Sequence, residues 1–200
     1  LDPVRVAHAL LEAPLGALQV RAKSAAPGRT VALLRELTAP SAAAGVPLFA
    51  NDRADLAMLG GARGLHLGQG DLDPAAVREL PLGPGLLIGL STHDEGQAEA
   101  AARRPEIDYL AIGPVHATRS KRDPAPVLGP ARARAIAASV RRARPGLPLC
   151  ALRGPEDARL VELGGSFELV AVISALFAMG TDPRSIRASA EQLGQALGRA

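Results

Sequence analysis

The sequence contains no tryptophan, and aromatic residues make up only 2% of its 200 positions. A core without large rings must be filled by Ala, Leu, Val and Ile, which suits the layers of an α/β domain better than an aromatic-rich sandwich. A single cysteine, Cys150, excludes an internal disulfide and a multi-thiolate metal site. Set in an apolar run, it reads as a small core residue. No stretch of about 18 apolar residues is present and no signal peptide opens the chain, so a soluble cytoplasmic protein is expected. Stacking aromatics are too few for a nucleic-acid platform, despite a net charge of +3 and a pI near 9.7. The densest basic group is Arg132, Arg134, Arg141, Arg142 and Arg144. It reads as the solvated face and C-terminal end of one helix. Neither a nucleic-acid partner nor a membrane is expected, and no feature sets an oligomeric state.

What is present is 48% apolar content, enough for one domain with its own core. No linker, low-complexity tract or composition shift divides the chain, so residues 1–200 are read as one domain. The most informative stretch is Asn51 to Asp71, NDRADLAMLGGARGLHLGQGD. Val46 to Ala50 reads as a buried strand ending at Asn51-Asp52, and Gly64 to Gly68 as the next, ending near Asp71. Between them Arg53 to Leu59 is helix-like and Gly60-Gly61 stops it. Such a unit makes the two strands parallel neighbours, about 4.8 Å apart. Asp52 and Asp71 then emerge side by side at one sheet edge, a place for a cation.

The remaining chain continues the alternation. Asp2-Pro3 opens a helix to Glu12 containing His8, which reads as structural. In the strand Ala17 to Lys23, Gln19, Arg21 and Lys23 share one face. An outer strand with a wet face explains that pattern; so does a covered strand pointing three polar groups into a site, where two cations and an amide invite an anion and a hydrogen-bonding ring. A helix over Thr30 to Leu37 is expected to end at Ala39-Pro40. Asp73-Pro74 opens another to Leu80, Leu86 to Thr92 is a strand with Ser91 at its end, and Glu95 to Arg104 is helical. The strand Asp108 to Ile112 runs into GPVHATRSKRD, where Thr118, Ser120 and Lys121 offer two hydroxyls and an ammonium suited to phosphate. His116 is a weak proton-carrier candidate there. Helices over Gly129 to Ala143, Pro155 to Leu163 and from Asp182 to the C-terminus flank strands over Leu147 to Leu152 and Glu168 to Ser174.

Seven strands alternating with helices give a parallel sheet, either an open doubly wound sheet or a closed eight-stranded barrel. Polar residues at nearly every strand end favour a TIM-type (β/α)8 barrel. Because the chain begins on a helix, the first barrel strand is expected to be missing from it.

The segments QVRAK, ANDR, HLGQGD, IGLSTH, DYLAIGPVHATRSK and AVISAL together resemble the thiamine-phosphate synthase family, in order and spacing, from about Gln19 to Leu176. The resemblance implies a barrel enzyme condensing hydroxymethylpyrimidine diphosphate with hydroxyethylthiazole phosphate to give thiamine phosphate and pyrophosphate. It also implies roles. Gln19 would bond the pyrimidine; Arg21, Lys23, Asn51 and Lys121 would hold the diphosphate, with Ser91 near the leaving group. Asp52 and Asp71 would hold Mg²⁺, while Thr118, Ser120, Ile173 and Ser174 would face the thiazole phosphate. Lys121, Ser91 and Arg21 are the expected catalytic set. Departures are Leu152-Arg153-Gly154 in place of a Gly-Gly pair, His116-Ala117 in place of an aromatic-proline pair, and the missing strand. Arg153, beside Gly154, either adds a phosphate contact or obstructs the close approach that glycine permits. Two other readings are a thiazole tautomerase-like isomerase, against which Asp71 and Lys121 argue, and a non-catalytic homologue that binds the ligands without turnover.

Overall fold

The fold is described from a computed structural model covering residues 1–116, 125–152, 163 and 165–197. Seven parallel strands form one sheet in strictly sequential order: β1 (Leu18–Val20), β2 (Leu48–Asn51), β3 (Gly64–Leu67), β4 (Leu87–Thr92), β5 (Tyr109–Ile112), β6 (Leu149–Leu152) and β7 (Leu169–Ala171). The described helices are α1 (Pro3–Leu11), α2 (Pro27–Ala43), α3 (Ala54–Gly60), α4 (Pro74–Glu79), α5 (Glu95–Ala102), α6 (Pro130–Ala143) and α7 (Pro183–Ala196). Sequential order without a reversal removes the doubly wound alternative, whose strand order must switch direction. Right-handed crossovers then place the helices on one side of the sheet. The helix layer returns on itself, because α1 packs against both α2 and α7.

Local chemistry starts these elements where expected. Asp2, Asp73, Asp94 and Asp182 cap α1, α4, α5 and α7, each accepting from a first-turn amide. Gly61 closes α3 in the left-handed conformation at φ +71°. Several boundaries differ from expectation. Strand β1 stops at Val20, where its register with β2 ends, so Arg21 and Lys23 follow the strand and are not part of it, and α2 begins at Pro27 and not at Thr30. Helix α2 does not end at Ala39-Pro40 but runs through Pro40 to Ala43. Its buried stripe Leu34, Leu37 and Ser41 continues past the proline, and burying that face outweighs one lost backbone bond near the helix end. The last strand stops at Ala171, and Ser174 instead opens a short 3₁₀ turn, Ser174–Phe177. The register between β6 and β7 closes on the pair Leu152 and Ala171.

Between sheet and helices lies an aliphatic core that includes Leu34, Leu65, Leu67, Ile88, Leu110, Ile112, Ile136, Leu149 and Ile186, as the scarcity of aromatics required. The opposite face of the strands carries a different set. Register aligns Gln19, Phe49, Gly64 and Leu87 in one row, and Asn51, His66, Gly89 and Tyr109 in the next. Ser91, Ala111, Cys150 and Leu169 form the third. The rings fit because glycine stands beside them: a Cβ at Gly64 would run into Phe49, and one at Gly89 into Tyr109. Cys150 is buried in this inner face, as a small packing residue should be. No described helix is long and apolar enough to cross a membrane.

Candidate active site

In a parallel sheet every strand ends at the same edge, so the polar residues after β1, β2, β3, β4 and β7 are delivered to one face. Strand β1 supplies exposed Gln19, followed by half-buried Arg21 and exposed Lys23. Gln19 does lie between buried Leu18 and Val20, the predicted alternation. Strand β2 ends at Asn51, level with His66 of β3. Asp52 follows in the left-handed region at φ +63°, held by its amide donating to the His66 carbonyl at 2.8 Å. A non-glycine residue in that conformation costs of order 1–3 kcal/mol, and such strain collects at functional sites.

The strained turn brings three charges together. Lys23 Nζ lies 3.0 Å from Asp52 Oδ2. Asp71, on the loop after β3, accepts from the Gly68 amide at 2.6 Å. Burial pushes the Asp71 carboxyl above the ordinary carboxylate range; the Asp52 carboxylate adds to the rise, while the Gly68 amide and Lys23 oppose it. The pair of carboxylates therefore does emerge side by side. Among the described residues no group of three or more His, Cys, Asp or Glu could hold a metal ion. A cation bound here would have two protein carboxylates and would complete its shell elsewhere.

Ser91, near the end of β4, is 5% exposed. Its Oγ lies 2.8 Å from His66 Nε2, and its carbonyl accepts from Gln69 Nε2 at 2.7 Å. His66 Nδ1 in turn lies 2.5 Å from the Tyr109 hydroxyl, with the two rings stacked at 5.6 Å. His66, Gln69 and Tyr109 were not among the residues expected to have a role here. The readable signal was strand alternation, which turns His66, Ser91 and Tyr109 to the face opposite the aliphatic core. Ile173 and Ser174, both exposed, follow β7 at the same edge. Thr118, Ser120, Lys121, Arg153 and Gly154 lie outside the described residues.

The family model for thiamine monophosphate synthase matches residues 2–176. The chain belongs to this family. It is accordingly an enzyme of the transferase class. The thiamine-phosphate synthase of Laribacter hongkongensis is 38% identical over 185 residues, covering 92% of this chain and 83% of that one. That of Anaeromyxobacter dehalogenans is 38% identical over 189 residues, covering 94% and 81%. Among solved structures, the thiamine phosphate pyrophosphorylase of Pyrococcus furiosus superposes with a TM-score of 0.82 at 27% identity, over 98% of this chain and 89% of that one. A 4-hydroxy-2-oxoglutarate aldolase reaches 0.68 at 17% identity, covering 98% and 88%, a likeness of fold alone.

Proposed function

We propose that this chain joins hydroxymethylpyrimidine diphosphate to hydroxyethylthiazole phosphate, releasing pyrophosphate and forming thiamine phosphate. The observation that carries this reading is the juxtaposition of Asp52 and Asp71 beside Lys23 at the end of a sheet. Two carboxylates, one of them resisting ionisation, are ill matched to an anionic substrate by themselves. They are well matched to a divalent cation that accompanies one. Mg²⁺ commonly takes one or two carboxylates and fills its octahedral shell with water and substrate phosphate, which fits a site with two protein oxygen donors. Asp52 and Asp71 would hold it, and when bound it would neutralise charge on the departing diphosphate.

This chain's own residues do the rest. Arg21, Lys23, Asn51 and Lys121 bind the diphosphate by preorganised charge and hydrogen bonds. Gln19 bonds the pyrimidine, and Ser91 donates near the leaving group. The carbon–oxygen bond to the diphosphate breaks with its electron pair leaving on oxygen. The thiazole nitrogen then supplies the pair for the new carbon–nitrogen bond, so no protein nucleophile is required. Thr118, Ser120, Ile173 and Ser174 face the thiazole phosphate, with Arg153 and Gly154 beside it. Lys121, Ser91 and Arg21 form the catalytic set.

The same reading holds residues 1–200 to be one TIM-type (β/α)8 barrel domain of the cytoplasm. An eighth strand would fit between the edges of β1 and β7. The sequential strand order and the packing of α1 on α7 support it.

The test is product formation from the two phosphorylated halves, with Mg²⁺ and with excess EDTA. Metal-dependent thiamine phosphate is expected. Full activity in EDTA would remove the metal assignment. Isomerisation of the thiazole phosphate without condensation would favour a tautomerase, and tight binding without any product would favour a non-catalytic homologue.

A further inference from the structure

The motif HLGQGD places Asp71 at the carboxylate pair but leaves His66 and Gln69 unaccounted for, and the glycine before Ser91 likewise has no assigned chemistry. All three converge on Ser91. Gly89 lies between His66 and Tyr109 in one row across β3, β4 and β5. A side chain there would occupy the space through which the Tyr109 ring reaches across β4. The Tyr109 hydroxyl meets His66 Nδ1 at 2.5 Å, and His66 Nε2 meets Ser91 Oγ at 2.8 Å. Gln69 holds the Ser91 carbonyl at 2.7 Å, so both ends of this serine are gripped from β3 and its following loop. Phe49 closes against Tyr109 edge-on at 5.5 Å and fixes the ring.

The direction of the chain follows from donors and acceptors. Burial pushes the Tyr109 phenol far above its ordinary range, with Cys150 adding to the rise, so it keeps its proton. The hydrogen bond that the described residues give this hydroxyl is to His66 Nδ1, and a buried phenol proton is donated where a partner exists. With Nδ1 accepting, the neutral ring carries its proton on Nε2 and donates it to Ser91 Oγ. The Ser91 proton is then left to point away from His66.

We propose that Tyr109 and His66 are positioning residues that orient the Ser91 hydroxyl as a hydrogen-bond donor toward the departing diphosphate, with Gly89 keeping open the path between them. This rests on the synthase reading above, since it concerns the same bond cleavage. His66 and Tyr109 act through Ser91, the group that both reach along this chain of hydrogen bonds.

Two readouts test the chain. In steady-state turnover, Tyr109→Phe and His66→Gln are expected to lower kcat by about tenfold or more, the usual size of a lost orienting partner, with KM for either substrate little changed. Combined with Ser91→Ala, neither should cause a further loss, because Ser91 is the group through which both act. Additive losses, or a lowered melting temperature with kcat intact, would overturn the proposal. Independently of activity, nitrogen-15 NMR of His66 should show the neutral ring protonated at Nε2. Protonation at Nδ1 in the wild-type protein would also overturn it. A wild-type protein that formed no thiamine phosphate would instead defeat the synthase reading, and the nitrogen-15 result would still decide the direction of the hydrogen-bond chain.

Discussion

The two ends of the sheet are both rich in charge, yet they use it in opposite ways. At the N-terminal ends of the strands three arginines, Arg78, Arg141 and Arg144, are engaged by carbonyls and carboxylates of the protein. Arg78 donates to the carbonyls of Gly83, Leu86 and Glu106 and pairs with Asp108 at 2.6 Å, whose same oxygen accepts from the Ile88 amide. Arg144 donates to the carbonyls of Arg104 and Ile107, and Arg141 bridges Ser166 and Glu168. Those arginines sew strand beginnings to the ends of neighbouring helices. At the C-terminal ends, by contrast, Asp52 sits in a strained backbone and burial pushes the Asp71 carboxyl above the ordinary carboxylate range. Charge that is fully paired stabilises; charge left partly unsatisfied is available to a ligand. The division agrees with the general habit of such folds, stability below and chemistry above.

Substitutions at the two ends should therefore separate turnover from stability. The largest expected effect is at the upper end. Asp52→Ala or Asp71→Ala should cut turnover by about a hundredfold or more, the scale of losing one preorganised electrostatic group, as measured by thiamine phosphate formation at saturating Mg²⁺. At the lower end, Arg78→Ala should cost about 2–3 kcal/mol of unfolding free energy in urea, because it leaves part-buried carbonyls and Asp108 without their donor. Its kcat well below the melting temperature should stay near wild type. A smaller effect is expected at Asp73, which caps α4 and takes a bidentate bond from Arg104 at 2.5 and 2.7 Å. Asp73→Ala should cost about 1 kcal/mol, mostly as a lost cap. The Arg104 guanidinium holds the Asp73 carboxyl down at about 2. Its stabilisation is then present above the unfolded value near 3.8 and disappears as pH falls toward 2. Urea titrations between pH 5 and 2, compared with the alanine variant, should show the difference closing over that interval.

Much of the frame was legible because it rests on local rules. The Asp-Pro pairs at Asp2, Asp73 and Asp182 announced helix starts, and each is a cap in the structure. Alternation in QVRAK correctly separated Gln19 from Leu18 and Val20. Two apolar runs separated by one short helix placed Asp52 beside Asp71. The misreadings arose where tertiary packing overrode a local signal. Pro40 looked like a stop, but the buried face of α2 carried the helix past it. The arginines of α6 looked wholly solvated, whereas Arg141 and Arg144 reach back to the beginnings of β5 and β7. The Tyr109, His66 and Ser91 chain joins three strands, and no single stretch of sequence displays it. Only the register, with Gly89 leaving room between the two rings, brings those side chains together.

The most direct measurement sets Asp71→Asn beside Arg78→Ala, with melting temperature and Mg²⁺-dependent turnover taken on each. Because burial in the fold pushes the Asp71 carboxyl above the ordinary carboxylate range, its negative charge opposes folding at neutral pH, and the neutral amide relieves that opposition while still able to accept from Gly68. The expected result is an Asp71→Asn protein that melts no lower than wild type and has lost turnover, beside an Arg78→Ala protein that melts lower and keeps it. An Asp71→Asn protein that retained full turnover while melting lower would contradict the assignment of chemistry to the upper edge of the sheet.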